Sequence, residues 1–357
     1  MIRDVLTQNA HSEMPASSFH LHPSSFPRAS RYAPAVFFIG GFVWDAVTLG
    51  RTIKPVDLFI LAAYLTGAAV ILVMLGRGVV FRGSQYLSAV LQFFFGGIFS
   101  ALFIFYFLSS GGLAGYLFVL ALAAVLIGNE FLGSKYSELT LSWTLFTLCA
   151  CMFFNFALAH LFHSIEIYWF YLGTLVAVLL ALVLRQISRH DSASIKPSIA
   201  VAALLLILHA LNLIPPVPLV KKQMLIAHDV HREGRAYIAS VESPGWRIWR
   251  ASSATFHRRA GEPVYCFTSV FVPNGISTTI RHRWERVDEK GDWVTLDLRP
   301  FKISGGRESG YRGYTLKQNV IPGLWRVTAE SESGAAIGFV EFRVVAGEVG
   351  KMSKVRL

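Results

Sequence analysis

The 357-residue chain is 54% hydrophobic and only 15% charged, which excludes an ordinary soluble domain, where about a quarter of residues carry charge. Its net charge of +11 is uneven: residues 1–220 hold 11 Lys and Arg against 8 Asp and Glu, and residues 221–357 hold 22 against 14. The chain therefore reads as a membrane module followed by a basic, water-facing one, and its cysteines (Cys149, Cys151 and Cys266) supply neither a disulfide framework nor a C-x-x-C metal spacing.

Residues 1–31 are rich in Ser, His and Pro and lack a basic-then-apolar leader, so they predict a disordered tail. Seven apolar stretches follow: Tyr32–Leu49, Asp57–Leu75, Leu87–Phe107, Leu113–Phe131, Leu139–Phe162, Glu166–Leu184 and Ser198–Ile214. Each approaches the roughly 20 residues that a helix needs to cross hydrocarbon. Together they predict an α-helical polytopic bundle over residues 32–220. Asp45 and Gly40-Gly41 interrupt the first stretch, and Pro215-Pro216 end the last, because proline lacks an amide hydrogen and clashes with the preceding turn.

Orientation follows from the placement of Lys and Arg. With the amino terminus inside, inner connections carry Arg77, Arg82, Lys135, Arg185, Arg189 and Lys196, and outer ones carry Arg51 and Lys54. Arg28 and Arg31 agree; Lys221, Lys222, Arg232 and Arg235 oppose, but flank a long domain, and such domains translocate largely regardless of charge. The chain is thus expected in a bacterial inner membrane with residues 221–357 in the periplasm.

Polar groups inside spans are costly and often functional. Asp45, Glu130, Asn155 and His209 are the candidates here. Asp45 with His209, and Asn155, read as packing contacts between helices, and Glu130 as an inner-end residue reaching interfacial water. In a transporter or channel Asp45, Glu130 and His209 would instead line a polar path. At the outer end of the fifth stretch, His160 and His163 share a helix face near Glu166. The three read as interfacial side chains; the alternatives are zinc ligands, or acid and base groups of an enzyme acting on a lipid-linked substrate.

Residues 221–261 form a juxtamembrane segment in which "AYIASV" and "WRIWRA" are candidate edge strands. From Val264 the rhythm becomes alternating: "VYCFTSVFV", "STTIRHRWERV", "WVTLDLRPFKI", "YRGYTLK", "LWRVTAES" and "AIGFVEFRVV", separated by Pro, Gly, Asn and Asp turns. Six such strands predict an all-β, immunoglobulin-like sandwich over 262–347, followed by a tail at 348–357. Alternation puts Trp325 inside and Arg326 outside, and gives His282, Trp284 and Arg286 a common face. His282, Arg307, Tyr311, Arg312 and Arg326 make a candidate partner-binding surface for a protein, a glycan or an anionic headgroup.

Four pieces of this region form a pattern: His282-x-Trp284, Gly305-Gly-Arg-x-x-Gly-Tyr-Arg312, Pro322-Gly-x-Trp-Arg-Val327, and Gly334-x-x-x-Gly-x-x-x-Phe-x-Val344. In this the chain resembles the bacterial family catalogued as domain of unknown function 2914, and the upstream spans are similar to the multi-span region often joined to it. The resemblance implies architecture and supplies no activity, cofactor or catalytic residue. The chain has no G-x-S-x-G elbow, P-loop, G-x-G-x-x-G after a strand, or H-E-x-x-H. The expectation is a non-enzymatic membrane protein, without cofactor, metal or nucleic-acid partner, that contacts the bilayer and one envelope partner.

Overall fold

The computed structural model describes residues 29–49, 53–132, 135–136, 138–188, 193–243, 252–305 and 310–357. Helix α1 (Ala29–Thr48) begins in one compact unit, Met1–Gly41, and ends in a second, Phe42–Leu357, which carries every later element. Six helices follow: α2 (Pro55–Gly76), α3 (Leu87–Leu108), α4 (Leu113–Phe131), α5 (Leu139–Leu161), α6 (Ile167–Ser188) and α7 (Lys196–Ala210). The start of α2 shows the local logic. Pro55 opens the first turn, and the Asp57 carboxylate accepts the Lys54 amide at 2.8 Å.

Five helices, α2 to α6, are long and apolar enough to cross a membrane. Their outward faces carry Phe59, Leu113, Leu120 and Phe131, all exposed. Water would penalise such faces, whereas lipid tails would not. Helix α5 lies at the centre, packed on α2, α3, α6 and α7. Asn155 of α5 donates to the Tyr106 hydroxyl of α3 at 2.9 Å, the packing role expected for it. The last helix departs from expectation. Helix α7 has 15 residues, about 22 Å of rise against a hydrocarbon core of about 30 Å. Asn212 turns left-handed (φ 54°) and ends the regular run before Ile214.

Contacts sort the helix ends. Gln92 near the start of α3 bonds the Asn129 carbonyl near the end of α4, and Arg77 after α2 bonds the Ile187 carbonyl in α6. The Arg185 guanidinium holds the Ala193 carbonyl, and the Ser194 amide bonds the Thr140 hydroxyl of α5. The α2–α3, α4–α5 and α6–α7 connections thus occupy one end of the bundle. The α3–α4 and α5–α6 connections and the exit from α7 occupy the other.

Eleven described strands follow α7: β1 (Val220–Ala227), β2 (Asp229–Glu233), β3 (Ala236–Glu242), β4 (Thr255–Arg258), β5 (Val264–Phe271), β6 (Ser277–Val287), β7 (Trp293–Ser304), β8 (Tyr311–Lys317), β9 (Gly323–Ser331), β10 (Ala336–Ala346) and β11 (Met352–Arg356). Strands β5 to β10 are the six read from alternation. Strand formation also extends beyond the expected limits: β1 to β4 lie in or at the edge of the juxtamembrane segment, and β11 lies in the expected tail. Of the two candidate edge strands, "AYIASV" is β3, and "WRIWRA" lies outside the described residues.

Three sheets form, ordered β1-β5-β8, β4-β10-β9-β6-β7 and β11-β3-β2. Neighbours are antiparallel except β4 with β10, which run parallel. The first two sheets share a core in which Ile226, Val264 and Cys266 meet Trp284, Trp325, Val327 and Phe342. Trp325 is buried, as alternation requires, and its indole donates to the Ile321 carbonyl at 2.8 Å. The third sheet closes a smaller core with Val230, Ala239, Val241 and Phe267.

Candidate functional site

The strand region docks on the helix end that holds the α3–α4 and α5–α6 connections. Gly111, between α3 and α4, lies so close to the Ile337–Gly338 backbone at the start of β10 that any Cβ would collide with it. Gly275, in the turn between β5 and β6 (φ 82°), leaves room for the His163 imidazole, and His163 is itself left-handed (φ 51°). Two backbone approaches that only glycine allows therefore fasten strands to helices. We expect Gly111→Val to loosen this fastening: protease should cut the 211–219 connection several-fold faster in detergent while helix content stays constant. An unchanged cutting rate would show that the contact holds nothing.

Where helix ends meet strands lies a cavity of about 600 Å3. The helices and the segments joined to their ends supply Asn155, Glu166, Trp169, Phe170, His209 and Asn212; the strands and their turns supply Thr279, Lys302, Tyr311, Glu332 and Ser333. His209 stacks on Phe170, with ring centres 3.9 Å apart. Its Nδ1 is buried without a hydrogen-bond partner, and so is the Trp169 indole nitrogen. Burying a polar atom unpaired costs about 1–3 kcal/mol, a cost this wall of the cavity carries at both rings.

Only some of the expected site residues meet here. Asn155, Glu166, His209 and Tyr311 line the cavity. Asp45 does not pair with His209: Phe42 places its helix against Phe103 of α3, while His209 packs on Phe170 and Tyr171 of α6. Glu130 sits near the opposite end of the bundle, at the end of α4 beside Gln92. Asp45, Glu130 and His209 thus form no common polar path. His160 and His163 lie 6.4 Å apart between ring centres, and no group of three His, Cys, Asp or Glu among the described residues is placed to hold a metal.

The proposed basic surface is corrected more sharply. His282 is not on the surface; it is fully buried between sheets, its Nε2 2.8 Å from the Thr268 hydroxyl and its Nδ1 2.9 Å from that of Thr315. Burial lowers its pKa to about 3, so the ring is neutral. Arg326 is half-buried, bonded to Glu285 at 2.9 Å and stacked over the Trp293 ring at 4.1 Å. Arg312 donates to the Leu357 main-chain oxygen at 2.6 Å, and Arg307 lies outside the described residues. Other basic groups are also engaged. Arg281 and Arg283 share Glu330, and Arg299 and Lys317 share Asp297, whose pKa lies below the ordinary range despite burial because both cations hold its charge. Much of the local positive charge is consumed inside the fold.

A second polar cluster carries no sequence signal. His228 presents Nδ1 to Glu262 at 2.7 Å and Nε2 to Glu242 at 3.0 Å, and stacks on Phe256. Glu242 also takes the His257 ring nitrogen at 2.8 Å. Ionised carboxylates only accept, so the chain needs a hydrogen on both His228 nitrogens or on one carboxyl group. Its members come from β3, β4 and the loops after β1 and β4, and no spacing announces them. The cluster ties the small third sheet to β4.

Residues 277–344 match the family model described as "Protein of unknown function (DUF2914)", spanning β6 to β10. No curated protein matches the chain. Among solved structures, a β-glucosidase from Listeria innocua in complex with isofagomine is similar at 13% identity and a TM-score of 0.20, over 32% of this chain and 16% of its own length. An alkylpurine DNA glycosylase from Pseudomonas fluorescens, bound to DNA containing an abasic site analog, is similar at 10% identity and a TM-score of 0.23, over 81% of this chain and 98% of its own. Neither score carries an argument about fold or function.

Proposed function

We propose that this chain is a non-enzymatic protein of the bacterial inner membrane that holds an immunoglobulin-like sandwich on the periplasmic side and engages an envelope partner at the junction of helices and strands. One observation carries the orientation. Arg77, Arg82, Lys135, Arg185 and Lys196 belong to the three connections at the end opposite the strand region, and cytoplasmic loops are the ones enriched in Lys and Arg. Lys54, at the start of α2, is the described exception.

Binding is favoured over catalysis by the contents of the junction. The cavity is lined by hydroxyls, amides and the Trp169 and His209 rings, groups suited to holding a polar partner. Reporter fusions after Lys222 and after Leu357 test the orientation. Alkaline phosphatase should be active at both, and a reporter that fluoresces only in cytoplasm should stay dark. Bright fluorescence with inactive phosphatase would reverse the assignment.

A further inference from the structure

We infer that the junction cavity binds the saccharide headgroup of a membrane-borne amphiphile; this rests on the binding role just proposed and names its ligand class. Charge narrows the choice first. The lining holds one cation, Lys302, and two carboxylates, Glu166 and Glu332. An anionic headgroup would meet two like charges against one opposite charge, which disfavours it. A neutral polyol meets no such repulsion.

Hydrogen-bond chemistry points the same way. The strand side presents a row of hydroxyls, including Thr279 and Ser333, and the helix side presents the amides of Asn155 and Asn212. Hydroxyls and amides both donate and accept, as sugar hydroxyls do. The Trp169 and His209 rings line the same wall, with the indole nitrogen and Nδ1 themselves enclosed behind it. Phe162 stacks on Trp169 at 4.2 Å and Phe170 stacks on His209, so both rings are held in place. The volume falls within the range of about 300–1,000 Å3 typical of small-molecule sites.

Attachment to an apolar chain follows from position. The ends of α5, α6 and α7 form part of the cavity wall, and at those ends Leu161, Phe162, Ile167 and Leu211 are exposed. A tail leaving the cavity there would run along apolar helix surface, while its polar head stayed under the strands.

The test uses the full chain purified in a polyoxyethylene detergent, with bound ligand read by native mass spectrometry. Dodecyl maltoside is the membrane-borne saccharide probe, maltose the soluble one, and a dodecyl polyoxyethylene ether the tail control. One dodecyl maltoside per chain should be retained saturably, more tightly than maltose, and the ether should not displace it. His209→Phe keeps the stack on Phe170 and Asn212→Gly keeps the left-handed turn. Each should weaken retention about tenfold with the melting temperature unchanged. Equal binding of maltose would overturn the membrane-borne source. Displacement by the ether, preference for phosphatidylglycerol or phosphatidylethanolamine, or wild-type retention in both variants would overturn the saccharide assignment. Binding by purified protein does not depend on which way the chain faces, so this result and the reporter result fail independently.

Discussion

Replacing Trp284 with alanine is expected to destabilise the strand region by about 4 kcal/mol, the usual cost of removing a fully buried tryptophan. The side chain is completely enclosed, among residues of both larger sheets. Truncation removes contact surface from β5, β9 and β10 together and leaves a void that strands held by hydrogen-bonded ladders close poorly. It also removes the indole donor at 3.2 Å from the Thr315 hydroxyl. A domain stability of about 5–15 kcal/mol makes that loss a large fraction of the whole. The helices have their own packing, so near-ultraviolet dichroism should lose its strand-region signal at lower denaturant while far-ultraviolet helix signal persists. Trp284→Phe should recover more than half of the loss. A Trp284→Ala protein that unfolds at the wild-type midpoint would mean that this core is not what holds the sheets together.

The same tryptophan shows how much of the fold was legible beforehand. Alternation gave the six central strands, and it put Trp325 inside, because period-two apolar residues between turns have few other solutions. The long apolar helices were legible because lipid imposes length and composition together. The limits of the strand region were not: β1, β4 and β11 owe their sheets to partners distant in sequence, and β4 pairs in parallel with a strand about 90 residues later. Alternation also put His282 on the same side as Trp284, and its burial follows from that pattern. Reading it as a surface group gave residue type more weight than register. Asn155, Glu166, His209 and Tyr311 stand out one by one, but the cavity they share was not legible, since helix ends and strand ends meet only after folding. Within the resembling pattern, His282, Trp284, Trp325 and Val327 turn out to be buried in the core.

Acidification is expected to weaken the strand region through His282, by about 3 kcal/mol between neutral pH and pH 4. Thr315 supplies the reason. Its hydroxyl has one hydrogen; accepting from the Trp284 indole, it gives that hydrogen to His282 Nδ1, which leaves Nε2–H to donate to Thr268. The network suits a neutral ring, and burial disfavours the charged one, so the folded pKa falls from 6.5 to about 3. The sign follows from proton counting. Between those two values the unfolded chain holds the extra proton and the folded chain does not, so stability rises with pH across the window and is lost on descending it. Glu330 acts in the opposite sense: burial outweighs Arg283 and Arg281 and raises its pKa, so the folded state gains relative stability as that carboxyl takes its proton. Comparison with His282→Gln separates the two. Glutamine can bond both threonines but does not titrate here, so the difference in unfolding midpoint between wild type and variant should shrink and then reverse as pH falls from 7 to 4. Parallel pH profiles would show that His282 already carries its proton in the fold, and the neutral network around Thr315 would have to be abandoned.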